Sequence, residues 1–453
     1  MGKEKQMMQA EIKLPRKVQH IIEALESGGY EAFAVGGCIR DSLLNRNPQD
    51  WDITTSAKPE EVKKVFNRTV DTGIQHGTVT VLLEGEGFEV TTYRIDGKYE
   101  DNRHPKNVTF TPNLKEDLRR RDFTINAMAY NESQGLIDLF GGEEDLGRGV
   151  IRCVGDARER FSEDALRMMR AVRFGAQLGF SIQEETRAAI EALAPALSKI
   201  SAERIQTELV KLVVSRHPQE MRTLYETGIT AVVLPEFDAM MKTEQNNPHH
   251  RYTVGEHTIA AMGNVPKDKV LRLAMLFHDV AKPVCLTTDQ EGIHHFHGHP
   301  GMGADMTEKI LRRLKFDNDT IEKVCTLVRG HDDNPPVTPR NIRRAMVRLG
   351  LEAYPDIFAV KRADILAQSD YQRQEKLEYL REYEKCYEMI LQNRQCLSLK
   401  ELAVNGRDLI ELGIPSGKGL GEVLKKLFDI VLEEPERNTR EELLAAVKND
   451  GIL

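Results

Sequence analysis

Long apolar runs, paired cysteines and an excess of positive charge are all missing from this chain of 453 residues. With 40% hydrophobic against 30% charged residues and no apolar stretch of spanning length, the composition is that of a soluble globular protein. The six cysteines (Cys38, Cys153, Cys285, Cys325, Cys386 and Cys396) form no CxxC pair, which argues against a cysteine zinc site and a disulfide framework. Met1 to Arg16 is charged, so neither a signal peptide nor a membrane anchor is expected, and position 6 lacks the Ser or Thr that myristoylation of Gly2 needs. The expected location is a reducing cytoplasm. A net charge of -8 gives no global sign of a nucleic-acid partner.

What is present is local. Arg119, Arg120 and Arg121 stand together, Arg167, Arg170 and Arg173 recur every three residues, and Arg340, Arg343, Arg344 and Arg348 lie on an expected helix. Any one of these clusters taken alone is better explained as a solvated helix face. The length suggests about three domains. Between Tyr30 and Tyr130, short strands are expected at 32–35, 77–83, 88–93 and 108–111, an α+β head. From about Ser162 onward successive amphipathic runs, such as 163–178 and 203–214, predict helices. Breakers at Asn246-Asn247-Pro248 and a link at 393–399 place boundaries near 150, 245 and 395.

The run Phe33-Ala-Val-Gly-Gly-Cys-Ile-Arg-Asp41 passes from an apolar strand through a glycine pair into an expected helix. Glycines there let backbone N–H groups approach an anion, and the helix start adds a favourable dipole, so Gly37 and Arg40 are candidate nucleotide-binding residues. Asp50-Trp51-Asp52 follows, with Ile53-Thr54-Thr55 reading as strand. Carboxylates at i and i+2 on a strand share a face and can hold hard cations between them. A surface turn is the commoner fate of such a tripeptide alone; its place after strand, Gly-Gly and helix favours Asp50 and Asp52 as catalytic Mg²⁺ ligands.

These residues, 36–41 and 50–52, resemble the head of the class II tRNA nucleotidyltransferases and bacterial poly(A) polymerases, a branch of the polymerase-β-like nucleotidyltransferases. Arg120-Arg121-Asp122-Phe123-Thr124-Ile125-Asn126-Ala127 is similar to that family's ribose and triphosphate motif, and Glu163-Asp164-Ala165-Leu166-Arg167 to its base-selecting motif. The resemblance covers roughly 28–235. It implies that Arg121 forks onto phosphate oxygens and that Asp122 accepts from a ribose hydroxyl. It also implies that Asp164 and Arg167 choose C or A in place of a template, with Arg170 and Arg173 serving the triphosphate or base face. Ser162-Glu163-Asp164 reads equally as a helix start. Glu89 is a candidate third metal carboxylate, with an ordinary exposed strand Glu as its competitor. The loop 94–105 matches one implicated in adding the terminal A, although His104 stands where many relatives carry Arg.

Nine of the thirteen histidines fall between His249 and His331. The order His257, His278-Asp279, His299, His331, Asp364 resembles the HD phosphohydrolase domain. This implies a first divalent ion on His257, His278, Asp279 and Asp364, with His299 and His331 available for a second, and water activated against a phosphate ester. In the last segment, 404–415 and 423–431 read as helices around a turn with Gly417, Gly419 and Gly421. Its two readings are a helix hairpin closing the fold and a tRNA-binding tail served by Lys418, Lys425 and Lys426.

The expectation is therefore an α+β polymerase-β-like head with a small mixed sheet (17–150), an all-α neck (151–245), an HD domain (246–395) and a helical tail (396–453). The resemblance implies addition of C, C and A to tRNA from CTP and ATP, with Mg²⁺ and a second divalent metal at the HD site, and possible phosphatase or 2′,3′-cyclic phosphodiesterase activity there. Poly(A) polymerase, an A-adding or CC-adding specialist, and a phosphohydrolase stand as alternatives.

Overall fold

The computed structural model describes residues 12–97 and 108–449. The chain divides into two compact units, 1–238 and 239–453. Most of the loop 94–105, including His104, lies outside the described residues.

In the first unit, the helix Arg16–Ser27 buries Val18, Ile21, Ile22 and Leu25, the i, i+3, i+4, i+7 stripe of a core-facing helix, and packs on strand β1 (Ala32–Val35). The strands β2 (Ile53–Thr55), β3 (Thr69–Gly73), β4 (Thr78–Leu83) and β5 (Glu86–Thr92) follow. After them, β6 (Arg94–Asp96) and β7 (Val108–Phe110) pair as a separate ribbon, and β8 (Met128–Asn131) and β9 (Gly135–Asp138) return to the main sheet. The main sheet has seven strands among the described residues, in the order β3-β4-β5-β2-β1-β8-β9. It is mixed: β2 pairs parallel with β5 and antiparallel with β1. Every residue of β1 and β2 is buried, which places the central strands beneath the site.

The four expected strands are present, with ends moved by a residue or two. The expected helix 163–178 is two helices, Ala157–Glu163 and Leu166–Leu178, with Asp164 extended between them (φ -142°, ψ 102°). Ser162 does not start a helix; Asp156 caps the first one by accepting from Glu159 N at 3.0 Å. Leu166, Met169 and Val172 are buried as expected, and so is Arg173.

The second unit is helical. Val254–Gly263, Lys269–Phe277, His299–Arg313, Asn318–Gly330 and Tyr354–Ala367 surround the histidine-rich centre; Thr253, Asp268 and Asp317 cap the first, second and fourth of them, accepting from free N–H groups of the first turn. Further on, Gly406–Glu411, Lys418–Glu433 and Arg440–Asn449 enclose their own core of Leu409, Leu427, Val431 and Leu443. Gly419 and Gly421 lie inside the helix Lys418–Glu433, so of the three glycines only Gly417 belongs to the turn. Each arginine of Pro339–Leu349 has a partner within the chain: on the surface Arg340 and Arg344 pair with Glu433 and Arg348 with Asp333, while buried Arg343 donates to the carbonyls of Leu432 and Glu433.

Candidate active site and metal centre

The head site forms where β1 gives way to the helix Gly37–Leu43. Gly36 adopts φ +85°, ψ -126°, and a Cβ there would stand 2.9 Å from Arg121 Nη1. The positive φ is what calls for glycine, and any Cβ would also push on the Arg121 guanidinium. Val35 N donates to Asp52 O at 3.0 Å, so Asp52 continues the β1–β2 pairing although β2 itself begins at Ile53. Asp50 and Asp52 lie just before the strand rather than on it, and both side chains reach solvent. Protein walls nevertheless crowd Asp52 enough for desolvation to raise its carboxyl pKa, with repulsion from Asp50 adding and Arg121 opposing. Two oxygen donors whose repulsion one neighbouring guanidinium only partly relieves are a donor set suited to a hard divalent cation.

Around this pair runs a network that sequence reasoning did not reach. Asp117, fully buried, accepts from Thr54 Oγ1 (3.1 Å), Arg94 N (3.3 Å) and Arg120 Nε (2.9 Å), and Arg121 Nη2 stands 3.7 Å away. Burial alone would raise its pKa; Arg120 and Arg121 reverse that and hold it low. Asp122 differs from expectation. Its Oδ1 accepts from Phe123 N (2.9 Å) and Asn126 Nδ2 (3.1 Å), and its Oδ2 takes Nε and Nη2 of Arg170 (2.8 and 2.6 Å). Against the cost of burial, Arg170 and Asn126 hold its carboxyl at about 2. Four donors already fill its lone pairs, so a ribose hydroxyl would have to displace one of them. Asn126 in turn accepts from buried Arg40 at 2.7 Å.

The expected base-reading residues each have other partners. Asp164 is gripped by Arg204 through Nη1 (3.2 Å) and Nη2 (2.7 Å). Arg167 donates from Nη1 to Glu163 (2.6 Å) and Arg160 O (3.1 Å), and from Nη2 to Arg120 O (3.1 Å). Arg173 is turned away: it is buried, donating to Glu208 (2.6 Å) and Gln177 (2.7 Å) with its guanidinium 3.6 Å from the Phe174 ring. An i+3 repeat advances 300° per step, short of a full turn, and that drift carries the third arginine into the core. Glu89 is exposed on β5, and extending the Ile53–Val90 register by one residue sets it beside Asp52.

In the second unit, the six expected ligands converge. His257 Nε2 lies 2.8 Å from Asp364 Oδ1 and 3.3 Å from His278 Nε2; Asp279 Oδ2 is 3.2 Å from His278. On the other side of the same carboxylate, Oδ1 is 3.5 Å from His299 and 3.6 Å from His331, whose Nε2 atoms are 3.2 Å apart. Each group of three, His257-His278-Asp279 and Asp279-His299-His331, has the compactness of a metal site.

Tautomers decide what those atoms offer. Nδ1 of His278, His299 and His331 meets the carbonyls of Met275, Phe296 and Val328 at 2.7, 2.8 and 2.7 Å. A carbonyl only accepts, so each Nδ1 carries the proton and Nε2, turned toward the Asp279 carboxylate and the neighbouring rings, is the ring atom offered to a cation. Both Asp279 oxygens are buried without a hydrogen-bond partner of good geometry, although Lys282 Nζ is 2.8 Å from Oδ2. Burial alone would raise the pKa of Asp279; His278 and Lys282 hold it well below the carboxylate range. A cavity of about 840 Å³ opens over this centre, with Lys282, Lys361 and Lys376 among its lining.

The first unit thus has the sheet and carboxylate arrangement of a nucleotidyltransferase head. Residues 32–152 match the poly A polymerase head domain, 179–241 the segment described as "Probable RNA and SrmB-binding site of polymerase A", and 286–447 the tRNA nucleotidyltransferase domain 2. The chain is 35% identical to a CCA-adding enzyme of Lactobacillus helveticus, over 93% of this chain and 94% of that one. To the CCA-adding enzyme of Geobacillus kaustophilus it is 38% identical over 94% of each. The solved CCA-adding enzyme of Bacillus stearothermophilus in complex with CTP superposes with a TM-score of 0.72 at 30% identity, covering 97% of this chain and 99% of that one. The chain belongs to the CCA-adding enzymes, a family of tRNA nucleotidyltransferases. No helix among the described residues is long and apolar enough to cross a membrane.

Proposed function

We propose that this chain adds C, C and A to tRNA 3′ ends from CTP and ATP in the cytoplasm, without a nucleic-acid template. The observation that carries the reading is the pair Asp50 and Asp52, open to solvent beside the Gly36 turn and Arg121. Asp50 and Asp52 would hold Mg²⁺, with Glu89 as the third carboxylate. A cation held there would lower the pKa of the attacking 3′ hydroxyl and neutralise triphosphate charge. The rest falls to the chain. Gly37 at the helix start and Arg40 receive the phosphates, and Arg121, held against the backbone at Gly36, supplies a fixed guanidinium to them. Asp122 positions Arg170 and Asn126. Asp164 and Arg167 read the base edge. The four segments 17–150, 151–245, 246–395 and 396–453 would serve as head, neck, HD domain and tRNA-binding tail.

The test incubates purified protein with tRNA lacking one, two or three terminal residues and each labelled NTP. The expected products are C, C and A in order. A ladder of A residues would point instead to poly(A) synthesis, and products stopping at CC, or extension of CC ends alone, to a specialist. Asp50→Ala with Asp52→Ala should abolish incorporation, and incorporation at the normal rate would overturn the reading.

The two compact groups that share Asp279, His257-His278-Asp279 and Asp279-His299-His331, favour a second activity, divalent-metal phosphohydrolysis in the second unit. Its substrate would be a phosphate monoester or 2′,3′-cyclic phosphate, drawn by the three lysines at the cavity. Release of phosphate from p-nitrophenyl phosphate or hydrolysis of 2′,3′-cyclic AMP, surviving Asp50→Ala with Asp52→Ala, tests it.

A further inference from the structure

The acid expected to read the incoming base does not stand alone. Asp164 sits in the break between two helices, and the groups that orient it come from two places. Leu166 N, two residues on, donates to Oδ1 at 3.1 Å. Arg204, from the helix Ala202–Val213, closes a two-pronged grip on both oxygens at 3.2 and 2.7 Å. One turn further along, Glu208 takes Arg173 at 2.6 Å, so one face of the helix Ala202–Val213 braces both the reader and the helix that follows it. The Asp164 and Arg204 side chains are 15% and 24% exposed, so the grip is sheltered but within reach of the surface.

Each carboxylate oxygen accepts about two hydrogen bonds. Among the described residues, Leu166 N and Arg204 Nη1 fill Oδ1, and Arg204 Nη2 takes one site on Oδ2, leaving one acceptor position on Oδ2. Cytosine and adenine each present an exocyclic amino donor on the pairing edge, where uracil and guanine present a carbonyl oxygen. One fixed acceptor suits the amino group and repels the carbonyl. A carboxylate free to rotate, or to recruit water as a bridging donor, loses that distinction.

We propose that Arg204 is a specificity-determining positioning residue: by clamping Asp164 it leaves one directed acceptor, which admits the amino bases C and A and rejects U and G. This rests on the reading of Asp164 as the base-selecting acid. Arg204 itself touches no substrate; it acts through Asp164. Lysine supplies charge but one point of contact in place of a fork, so Arg204→Lys should only partly restore what Arg204→Gln loses.

The test measures kcat and KM for CTP, ATP, UTP and GTP with tRNA ending before the first C and before the A, in the wild-type chain, Arg204→Gln, Arg204→Lys and Asp164→Asn. Hydrogen-bonding sites reject ill-matched analogues by roughly 10⁴-fold. Arg204→Gln is expected to narrow the CTP:UTP and ATP:GTP ratios of kcat/KM by at least about tenfold, with Arg204→Lys intermediate. A merely structural role would lower all four nucleotides together and leave the ratios untouched, and that result overturns the proposal. Should Arg204→Gln fail to fold, as circular dichroism would report, the ratios in Arg204→Lys decide alone. If Asp164→Asn also leaves the ratios unchanged, the base-reading assignment falls with it; if Asp164→Asn collapses them and neither Arg204 variant does, only the clamp is wrong.

Discussion

Gly36→Ala isolates the geometric requirement at the head site. The backbone there has φ +85° and ψ -126°, a region close to glycine-only, and holding an alanine in it costs about 1–3 kcal/mol. The new methyl would also stand 2.9 Å from Arg121 Nη1, inside contact distance. That guanidinium ends a flexible side chain whose contact with buried Asp117 is already long at 3.7 Å, so it can yield and the backbone cost dominates. The expected loss is about 1–3 kcal/mol of unfolding free energy, with a raised KM for CTP because Arg121 has moved. Gly37→Ala is the stability control: its Cβ would lie 3.7 Å from Arg40 Nη2, ordinary contact, with no positive φ. Denaturant titration of both variants and the KM for CTP of Gly36→Ala are the assay. Equal stability of the two variants, with a wild-type KM in Gly36→Ala, would refute the argument.

Four other perturbations separate the remaining claims. Asp279→Asn removes the carboxylate shared by both metal groups, so titration with Mn²⁺ or Ni²⁺ should lose at least about tenfold in affinity while nucleotide incorporation continues; unchanged metal binding would dissolve the assignment. Arg343→Ala strips donors from the carbonyls of Leu432 and Glu433, at about 1–3 kcal/mol, and should raise hydrogen exchange through the helix Lys418–Glu433. The pair Arg340→Ala and Arg344→Ala, spent on Glu433, should leave the salt dependence of tRNA binding unchanged; a slope reduced by about two would mean they meet phosphates after all. Asp317 is held at about 2 by the N–H and hydroxyl of Thr320. A lowered folded pKa means its contribution is whole above the ordinary carboxylate pKa of about 3.9 and fades as pH falls toward about 2. Asp317→Asn, which caps without titrating, should flatten that acid limb of the stability curve.

Read from the chain alone, the strand, glycine pair and helix at 32–43 and the carboxylates at 50 and 52 stand out because their signals are short-range: such patterns are written within a few positions, and dihedral preference and periodicity act at that distance. The nucleotide motifs and the histidine and aspartate set from 257 to 364 were legible only through their resemblance to known families. The strands at 32–35 and 108–111 and the buried Leu166, Met169 and Val172 follow from the same local rules. Tertiary structure alone decided the partners. Arg204 meets Asp164 across 40 residues and Arg170 meets Asp122 across 48. An ion pair needs only two opposite charges brought close, and a sequence full of charges offers many such pairings. Which of them forms depends on how helices pack. Packing filled the lone pairs of Asp122, buried Arg173 and Arg343, and set Arg340, Arg344 and Arg348 in surface ion pairs, while the same side chains in isolation would read as equally available.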